Sequence, residues 1–304
     1  MNNFFNKYWV KIFNNKKYND FKFLNRVSKD TKNFKENFEN QINSFQKAIN
    51  TKEILNFLHC GHVGDIINVL PAIKELAKEH TCNLYIKVDA PLKSNYHRHP
   101  ANNVFINKKI FNMLKPLLDH QSYINKIEIF NNQPIDINFD IIREIPINLL
   151  FDNTKYSFHI TGLQPDLSVP YLDVNAHSIV KQKVVIQRTF RYRNPFINYE
   201  FLNNYENLLF IGAEDEFNDM KLVVKNLEYY DCKDFLEVAS VIMSCKLFIA
   251  NSSSFFPIAE ALKVPRLLEA CPYFPAAQTH GKNGFDFYFQ IHFEKWFKYL
   301  YCLK

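Results

Sequence analysis

The sequence predicts an α/β protein built from two Rossmann-like domains, with a helical extension at the N-terminus. From residue 53 onwards, short apolar runs alternate with apolar residues at helical spacing, and this alternation begins again after a polar connector at 174–182. Such alternation is typical of parallel sheets covered by helices. With 304 residues, of which 47% are hydrophobic, the chain has enough apolar material for two cores.

Each half of the chain has its own predicted strands and helices. In the first half these are strands 53–58, 83–88 and 125–130, with helices near 66–79 and 108–119. In the second half they are strands 183–188, 208–212, 246–250 and 265–269, with helices 199–206, 217–226, 234–245 and 255–263.

These patterns divide the chain into four parts. They are a basic and aromatic extension (1–50), an N-terminal Rossmann-like domain (51–177), a C-terminal Rossmann-like domain (178–285) and an aromatic C-terminal helix (286–304). We expect this last helix to be buried between the two domains and to pack across them, and a membrane anchor is the alternative.

The net charge of +6 belongs to the extension. Residues 1–50 carry ten Lys and Arg against four Asp and Glu, whereas the remaining residues carry 27 of each sign. A neutral body argues against nucleic acid as the main partner, because tracking phosphates needs a cationic surface on the folded domains. Two interpretations of the extension stay open: a helical segment packed on the body, or an arm that contacts a membrane surface or a partner.

Composition also indicates in which compartment of the cell the protein is expected. There is no run of eighteen apolar residues and no secretory signal pattern at the N-terminus. The six cysteines are scattered without a CxxC pair, as expected for buried thiols in a reducing cytosol rather than for a zinc site. We therefore expect a cytoplasmic protein. If the extension binds lipid, it would hold the protein at the inner face of the membrane.

The first motif is HCGHVGDIINVLPAIKEL, residues 59–76, which places a glycine turn between a strand and a helix. Gly61 and Gly64 are two of only six glycines, and Asp65 follows them directly. Such a turn lets a ligand approach the backbone beside a helix N-terminus. Asp65 is either a general base or a carboxylate that caps the helix. A regular helix beginning near Asn68 is expected from the proline at 71.

The second motif is CKLFIANSSSFFPIAEALKVPRLLEA, residues 245–270, in which a buried strand runs into a polar turn and a helix. The turn consists of Asn251, Ser252, Ser253 and Ser254. Serine at a helix start offers a capping oxygen and leaves backbone N–H groups for an anion. The turn is therefore suited to a diphosphate, and simple capping is the alternative.

Together, GHVGDIINVLPAIKEL and FIANSSSFFPIAEALKVPRLLEA resemble glycosyltransferase family 9, the ADP-heptose:lipopolysaccharide heptosyltransferase-like group. The stretch VVIQRTFRYRNPFINYEFL is similar to a strand and basic loop in relatives of this family. The likeness spans residues 53 to about 270, and it implies the GT-B fold, in which two Rossmann-like domains face a cleft. The chain departs from the family where Ser252–Ser254 and Pro257 replace Asp-Ser-Gly and His, and where Glu260 replaces an alanine.

The resemblance implies a glycosyltransferase that uses neither a metal nor another cofactor. Its donor would be a nucleotide-diphospho-sugar held by the C-terminal domain, and its acceptor a glycan or lipid-linked glycan of the cell envelope held by the N-terminal domain. Asp65 matches the acidic residue that the family is proposed to use as the base. The alternatives are a non-catalytic sugar-nucleotide-binding scaffold and a nucleotide-sugar 2-epimerase on the same fold. No D-x-D triplet occurs in the chain.

The remaining candidate residues flank the expected cleft. Further donor candidates are Arg188, Arg191, Gly212, Glu216 and Glu269, besides Asn251 and the three serines. Acceptor candidates are Gly61, His62, Gly64, His97, His99, Gln121 and Tyr123. For these residues the structural alternatives are a solvated basic loop around Arg191, an ion pair between Glu269 and Arg266, and structural histidines.

Overall fold

A computed structural model describes residues 11, 15–92, 101, 103–144, 152–177, 180–274 and 276–303. Within them, two separate parallel sheets are covered by helices, so the predicted α/β class with two Rossmann-like halves is confirmed. None of the helices in this part of the chain has the length and apolarity needed to span a bilayer.

The first sheet contains four parallel strands in the order β3-β2-β1-β4. They are β1 (Ile54–His59), β2 (Thr81–Ile86), β3 (Lys126–Ile129) and β4 (Ile137–Asn138). The helices of this half are α1 (Asn15–Asn37), α2 (Glu39–Thr51), α3 (Val63–Leu76), α4 (Lys108–Asp119) and α5 (Lys155–Thr161), with a 3-10 helix at Phe139–Arg143.

The second sheet contains six parallel strands in the order β10-β9-β8-β5-β6-β7. They are β5 (Val184–Gln187), β6 (Leu208–Ile211), β7 (Glu228–Tyr230), β8 (Leu247–Asn251), β9 (Arg266–Glu269) and β10 (Gly284–Phe287). Its helices are α6 (Glu214–Val223), α7 (Phe235–Ser244), α8 (Phe256–Leu262) and α9 (Gln290–Tyr301), with a 3-10 helix at Glu200–Asn204.

Both strand orders reverse direction at one point in the sheet. In the first sheet the chain moves outwards from β1 to β2 and β3, then returns to the other side of β1 with β4. In the second sheet the same reversal separates β5 from β8. In open α/β sheets the crevice at the carboxyl ends of the strands that flank such a switch point is where ligands bind. The fold therefore marks the ends of β1 and β4, and of β5 and β8.

The two N-terminal helices differ in how they contact the body. The face of α2 that carries Phe45 and Ala48 is buried in the core, as is Phe38 just before this helix. The Gln46 side chain also donates a hydrogen bond to the carbonyl of Thr161, at 2.8 Å. In contrast, α1 has no buried residue along its 23 positions.

Two expectations about helices are wrong. Helix α3 begins at Val63 rather than near Asn68 and accommodates Pro71 in its interior. The C-terminal helix α9 packs on the second sheet instead of across the domains, because Phe293, Phe297 and Leu300 lie in a cluster formed entirely by residues of the second half. Strands β4, β7 and β10 and helix α5 were not predicted from the sequence.

Candidate functional site

The glycine turn after β1 delivers Asp65 to the first switch point. Asp65 lies in the first turn of α3, and its Oδ2 accepts a hydrogen bond from the backbone N–H of His62 at 3.0 Å. The same oxygen accepts a second bond from Arg143 Nη2 at 2.9 Å. Oδ1 has no hydrogen bond to any residue that the structure describes, and the side chain is 32% exposed. Asp65 therefore caps the helix with one oxygen and presents the other.

Arg143 holds this carboxylate from the other side of the switch point. It ends the 3-10 helix that follows β4, pairs with Asp140 as well as with Asp65, and stacks its guanidinium 4.7 Å from the centre of the Phe105 ring. Its side chain is therefore fixed in both position and orientation. Sequence analysis did not identify Arg143.

The charges around Asp65 keep it ionised. Burial acts to raise the pKa of Asp65, but the positive charge of Arg143 and the hydrogen bond from the His62 N–H hold that pKa below its usual value. His59 is itself neutral, because burial lowers its pKa and its Nδ1 accepts a hydrogen bond from the N–H of Gly61 at 2.8 Å. Asp65 is thus a carboxylate at neutral pH.

Gly61 is required by the close approach of these side chains. A Cβ at this position would lie 2.5 Å from Arg143 Nη2, 2.5 Å from His59 Cε1 and 2.6 Å from Asp65 Cβ. These distances are too short for any real side chain, so glycine here makes room for the Asp65–Arg143 pair.

The polar turn after β8 occupies the second switch point. Asn251 is fully buried and clamps the adjacent end of β5, since its Oδ1 accepts from the Thr189 N–H at 3.1 Å and its Nδ2 donates to the Thr189 carbonyl at 2.8 Å. Ser253 Oγ accepts from the N–H of Phe255 at 3.2 Å. Ser252 and Ser254 are partly exposed, and their hydroxyls bond to no described residue. One serine therefore holds the turn before α8, and two keep their hydroxyls available.

Arg188 and Glu269 form a buried ion pair beside this turn. Arg188 Nε and Nη2 each donate to a carboxylate oxygen of Glu269 at 2.8 Å. Glu269 also accepts from the N–H of Asn194 at 2.6 Å and from the Tyr199 hydroxyl at 2.8 Å. Only Nη1 of Arg188 is left without a hydrogen bond to a described residue, so the pair mainly holds the 188–194 loop.

The ion pair between Glu269 and Arg266, which was the alternative to a donor contact by Glu269, does not form. Arg266 Nε instead donates to Glu260 Oε2 at 2.6 Å, and both side chains are buried. Gly284 leaves space for this guanidinium, because a Cβ there would lie 2.7 Å from Arg266 Cζ. Glu260 also pairs with Lys263.

The other donor candidates lie around the end of β5. Glu216 Oε2 accepts from Gln187 Nε2 at 3.3 Å, and burial raises the pKa of Glu216. Gly212 directly follows β6 with a φ of 136°, a conformation suited to glycine, and its carbonyl accepts from the Tyr229 hydroxyl at 3.0 Å. Gln187, Gly212 and Glu216 thus line one side of the second switch point.

The two switch points meet at Gly64. A Cβ on Gly64, in the first turn of α3, would lie 3.3 Å from Pro257 Cγ and 3.7 Å from Ser254 Cα. Burial lowers the pKa of His62, Asp65 opposes this, and the positive charge of Arg191 lowers that pKa further. Arg191, from the second half, therefore lies near the glycine turn of the first half. The two sequence motifs form one site.

The structure does not gather all the acceptor candidates there. Gln121 and Tyr123 follow α4 and precede β3, which places them at the amino edge of the first sheet, away from the switch point. Gln121 is 1% exposed and bonds to both backbone groups of Asp173, while Tyr123 donates to the Tyr171 carbonyl. Their assignment to an acceptor wall is wrong.

Two further acceptor candidates, His97 and His99, lie outside the described residues. Within the described part of the chain, no group of three or more His, Cys, Asp and Glu side chains is placed to hold a metal ion.

Comparisons with known proteins identify the fold. The sequence matches no protein-family model and no curated protein. A glycosyl transferase family 9 structure from Veillonella parvula superposes with a TM-score of 0.53 at 10% identity, covering 83% of this chain and 90% of that one. Escherichia coli heptosyltransferase WaaC with ADP gives a TM-score of 0.58 at 10% identity, covering 82% and 100%.

A third structure, E. coli ADP-heptose lps heptosyltransferase II, gives a TM-score of 0.51 at 10% identity and covers 82% of this chain and 98% of that one. The aligned region covers almost the whole length of each of these three structures. The likeness confirms the GT-B fold that the sequence motifs predict.

Proposed function

We propose that this GT-B protein is a glycosyltransferase that moves a sugar from a nucleotide-diphospho-sugar to a glycan or lipid-linked glycan, without a metal or another cofactor. The observation that carries the proposal is the contact between the two switch points at Gly64, beside Ser254 and Pro257. This contact brings the carboxylate of Asp65 close to the serine turn after β8, where two hydroxyls bond to no described residue. Those are the two parts that metal-independent sugar transfer needs.

The donor diphosphate would lie against the second half of the chain. The hydroxyls of Ser252 and Ser254, the Nη1 of Arg188 and the cationic Arg191 surround the ends of β5 and β8. Such groups stabilise the charge that develops on a leaving diphosphate. Gly212 and Glu216 lie beside them, where Glu216 would accept a ribose hydroxyl. In support, a solved structure of similar fold contains ADP.

The acceptor would lie against the first half, along Gly61, His62 and Gly64. As its hydroxyl oxygen bonds to the anomeric carbon, the bond from that carbon to the diphosphate oxygen breaks and the diphosphate leaves with the electron pair. The hydroxyl proton goes to Asp65 Oδ1, the oxygen that is not used in the cap. Arg143 keeps Asp65 ionised and oriented for this transfer.

A non-catalytic binding protein is the second candidate. The resemblance places Asp and His where this chain has serines and Pro257, so the donor site differs from that of the family. ADP-heptose is therefore not assumed as the donor. A non-catalytic protein would bind a nucleotide-sugar without turning it over, which distinguishes it from a transferase.

Calorimetric titration with ADP, UDP and GDP, and then with their sugar derivatives, tests the donor site. Arg191→Ala should weaken binding of the preferred nucleotide diphosphate by about 1.5–3 kcal/mol, the value of a charge-assisted hydrogen bond. Arg26→Ala, on the exposed face of α1, is the matched control and should leave binding unchanged. Equal affinity in wild type and Arg191→Ala would contradict this donor site.

Turnover distinguishes the candidate functions. Release of nucleotide diphosphate that requires an acceptor supports the transferase. Binding without release supports the scaffold, and free sugar isomers support the epimerase. A cytoplasmic location at a membrane surface is part of the proposal, because a lipid-linked acceptor would be reached there through residues 1–50.

A further inference from the structure

Helix α1 exposes large apolar side chains that no part of the described chain covers. The 23-residue helix has no buried residue. Five of its apolar side chains are between 39% and 64% exposed: Phe21, Phe23, Leu24, Val27 and Phe34. Leaving so many large apolar groups in water is unfavourable, and such exposure marks an interaction surface.

Four apolar and four basic residues of α1 lie on opposite faces, while Lys16 and Phe21 depart from this pattern. At about 100° per residue, Phe23, Leu24, Val27 and Phe34 project within one sector of about 100°. Four basic residues project from the opposite sector: Lys22, Arg26, Lys29 and Lys32. An apolar face rich in aromatic residues, with Lys and Arg opposite, is typical of helices that lie in a membrane interface.

The charge of the helix indicates what it contacts. Residues 15–37 contain seven Lys and Arg against three Asp and Glu, whereas residues 51–304 contain 27 of each sign. The surplus positive charge of the protein is thus concentrated where its apolar face is exposed. Anionic lipid attracts such basic segments, because its negative surface potential favours each Lys or Arg that lies near it.

We propose that α1 binds flat on an anionic lipid surface, with Phe23, Leu24, Val27 and Phe34 inserted at the boundary between headgroups and acyl chains. Lys17 and Lys35 project beside the apolar sector, where their long side chains reach lipid phosphates. The following helix α2 is anchored in the core of the first half. Lipid binding would therefore bring the acceptor half of the protein to the membrane.

A second copy of the chain fits this face less well. Two copies of α1 would bring a net positive charge against a net positive charge. An anionic surface instead accepts the apolar face and attracts the net positive charge of the helix.

Vesicle flotation with the full-length protein tests the proposal. Wild type should bind vesicles of phosphatidylcholine and phosphatidylglycerol about tenfold more tightly than vesicles of phosphatidylcholine alone, and high salt should weaken this binding. The variant Leu24→Gln, Val27→Gln, Phe34→Gln should lose about tenfold or more in affinity. A matched triple variant on the polar face, Asn25→Gln, Ser28→Gln, Asn33→Gln, should bind as wild type does.

The controls make the result independent of folding and of the reaction. All variants should show the wild-type melting temperature, since α1 contributes nothing to the core. Nucleotide binding should also be unchanged, so failure of the lipid proposal and failure of the transferase proposal are separate outcomes. Absence of preferential binding to anionic vesicles, equal binding by the two triple variants, or a lipid-free dimer that the apolar-face variant dissociates would each overturn the inference.

Discussion

His280 forms an ion pair that connects the two halves of the chain and makes stability dependent on pH. Its Nε2 lies 2.9 Å from Asp152 Oδ2 and its Nδ1 lies 3.5 Å from Glu260 Oε1. Asp152 precedes α5 in the first half, while Glu260 and His280 belong to the second half. All three side chains are largely buried. Raising the pH removes the proton from the His280 imidazole and with it the positive charge of this ion pair.

The direction and size of the effect follow from the pKa. The adjacent carboxylates of Asp152 and Glu260 raise the pKa of His280 from 6.5 to about 9. Because the folded pKa is higher than the unfolded one, the stabilisation is complete below about pH 6.5 and is lost as the pH rises through about 9. At about 1.4 kcal/mol per pKa unit, the full contribution is about 3 kcal/mol. For a protein of this size, that corresponds to a decrease in melting temperature of about 6–12 °C.

The assay is thermal unfolding between about pH 6 and pH 10. At the acidic end, wild type should melt well above His280→Gln, and the difference should shrink towards zero as the wild-type imidazole loses its proton. His292→Gln, at an exposed position of α9, is the matched control and should follow wild type throughout. A difference between wild type and His280→Gln that stays constant over this range would refute the reasoning.

Three other predictions concern the candidate site. Asp65→Asn should lower turnover by about 10²–10⁴ at temperatures where the protein is fully folded, whereas a purely capping role predicts a loss only in melting temperature. Gly61→Ala should lower the free energy of unfolding by about 1–3 kcal/mol in denaturant titrations. Gly64→Ala should change it by less than about 1 kcal/mol. Equal effects of the two substitutions would contradict the crowding around Arg143. Arg188→Met should lower stability by about 3–5 kcal/mol, because it leaves Glu269 buried without its cation, and unchanged melting would contradict this role.

The parts of the site that sequence reasoning found are those that directly follow a strand. Asp65 follows β1 and Asn251 ends β8, so the rule that parallel strands present their carboxyl ends at one edge was enough to place both. The same rule explains the error at Gln121 and Tyr123. These residues follow a helix, and helix-to-strand connections lie at the opposite edge.

The parts that could not be predicted depend on contacts between distant residues. Arg143 lies 78 residues from Asp65, after a strand of only two residues that leaves no pattern in the sequence. Arg188 has the residue type and position of a phosphate ligand, but Glu269, 81 residues away, takes two of its three guanidinium nitrogens. No local pattern shows which carboxylate an arginine meets in the folded chain.

The Glu260–Arg266 pair limits the order in which its members can change during evolution or design. Glu260 stands where the resembling family has alanine, yet restoring alanine alone would leave the fully buried Arg266 guanidinium without its carboxylate. Replacing Gly284 with any larger residue would push a side chain into that guanidinium. Each single change is therefore deleterious while the other two residues remain. Glu260, Arg266 and Gly284 therefore constrain one another, and a library that varies them separately should contain mainly destabilised proteins.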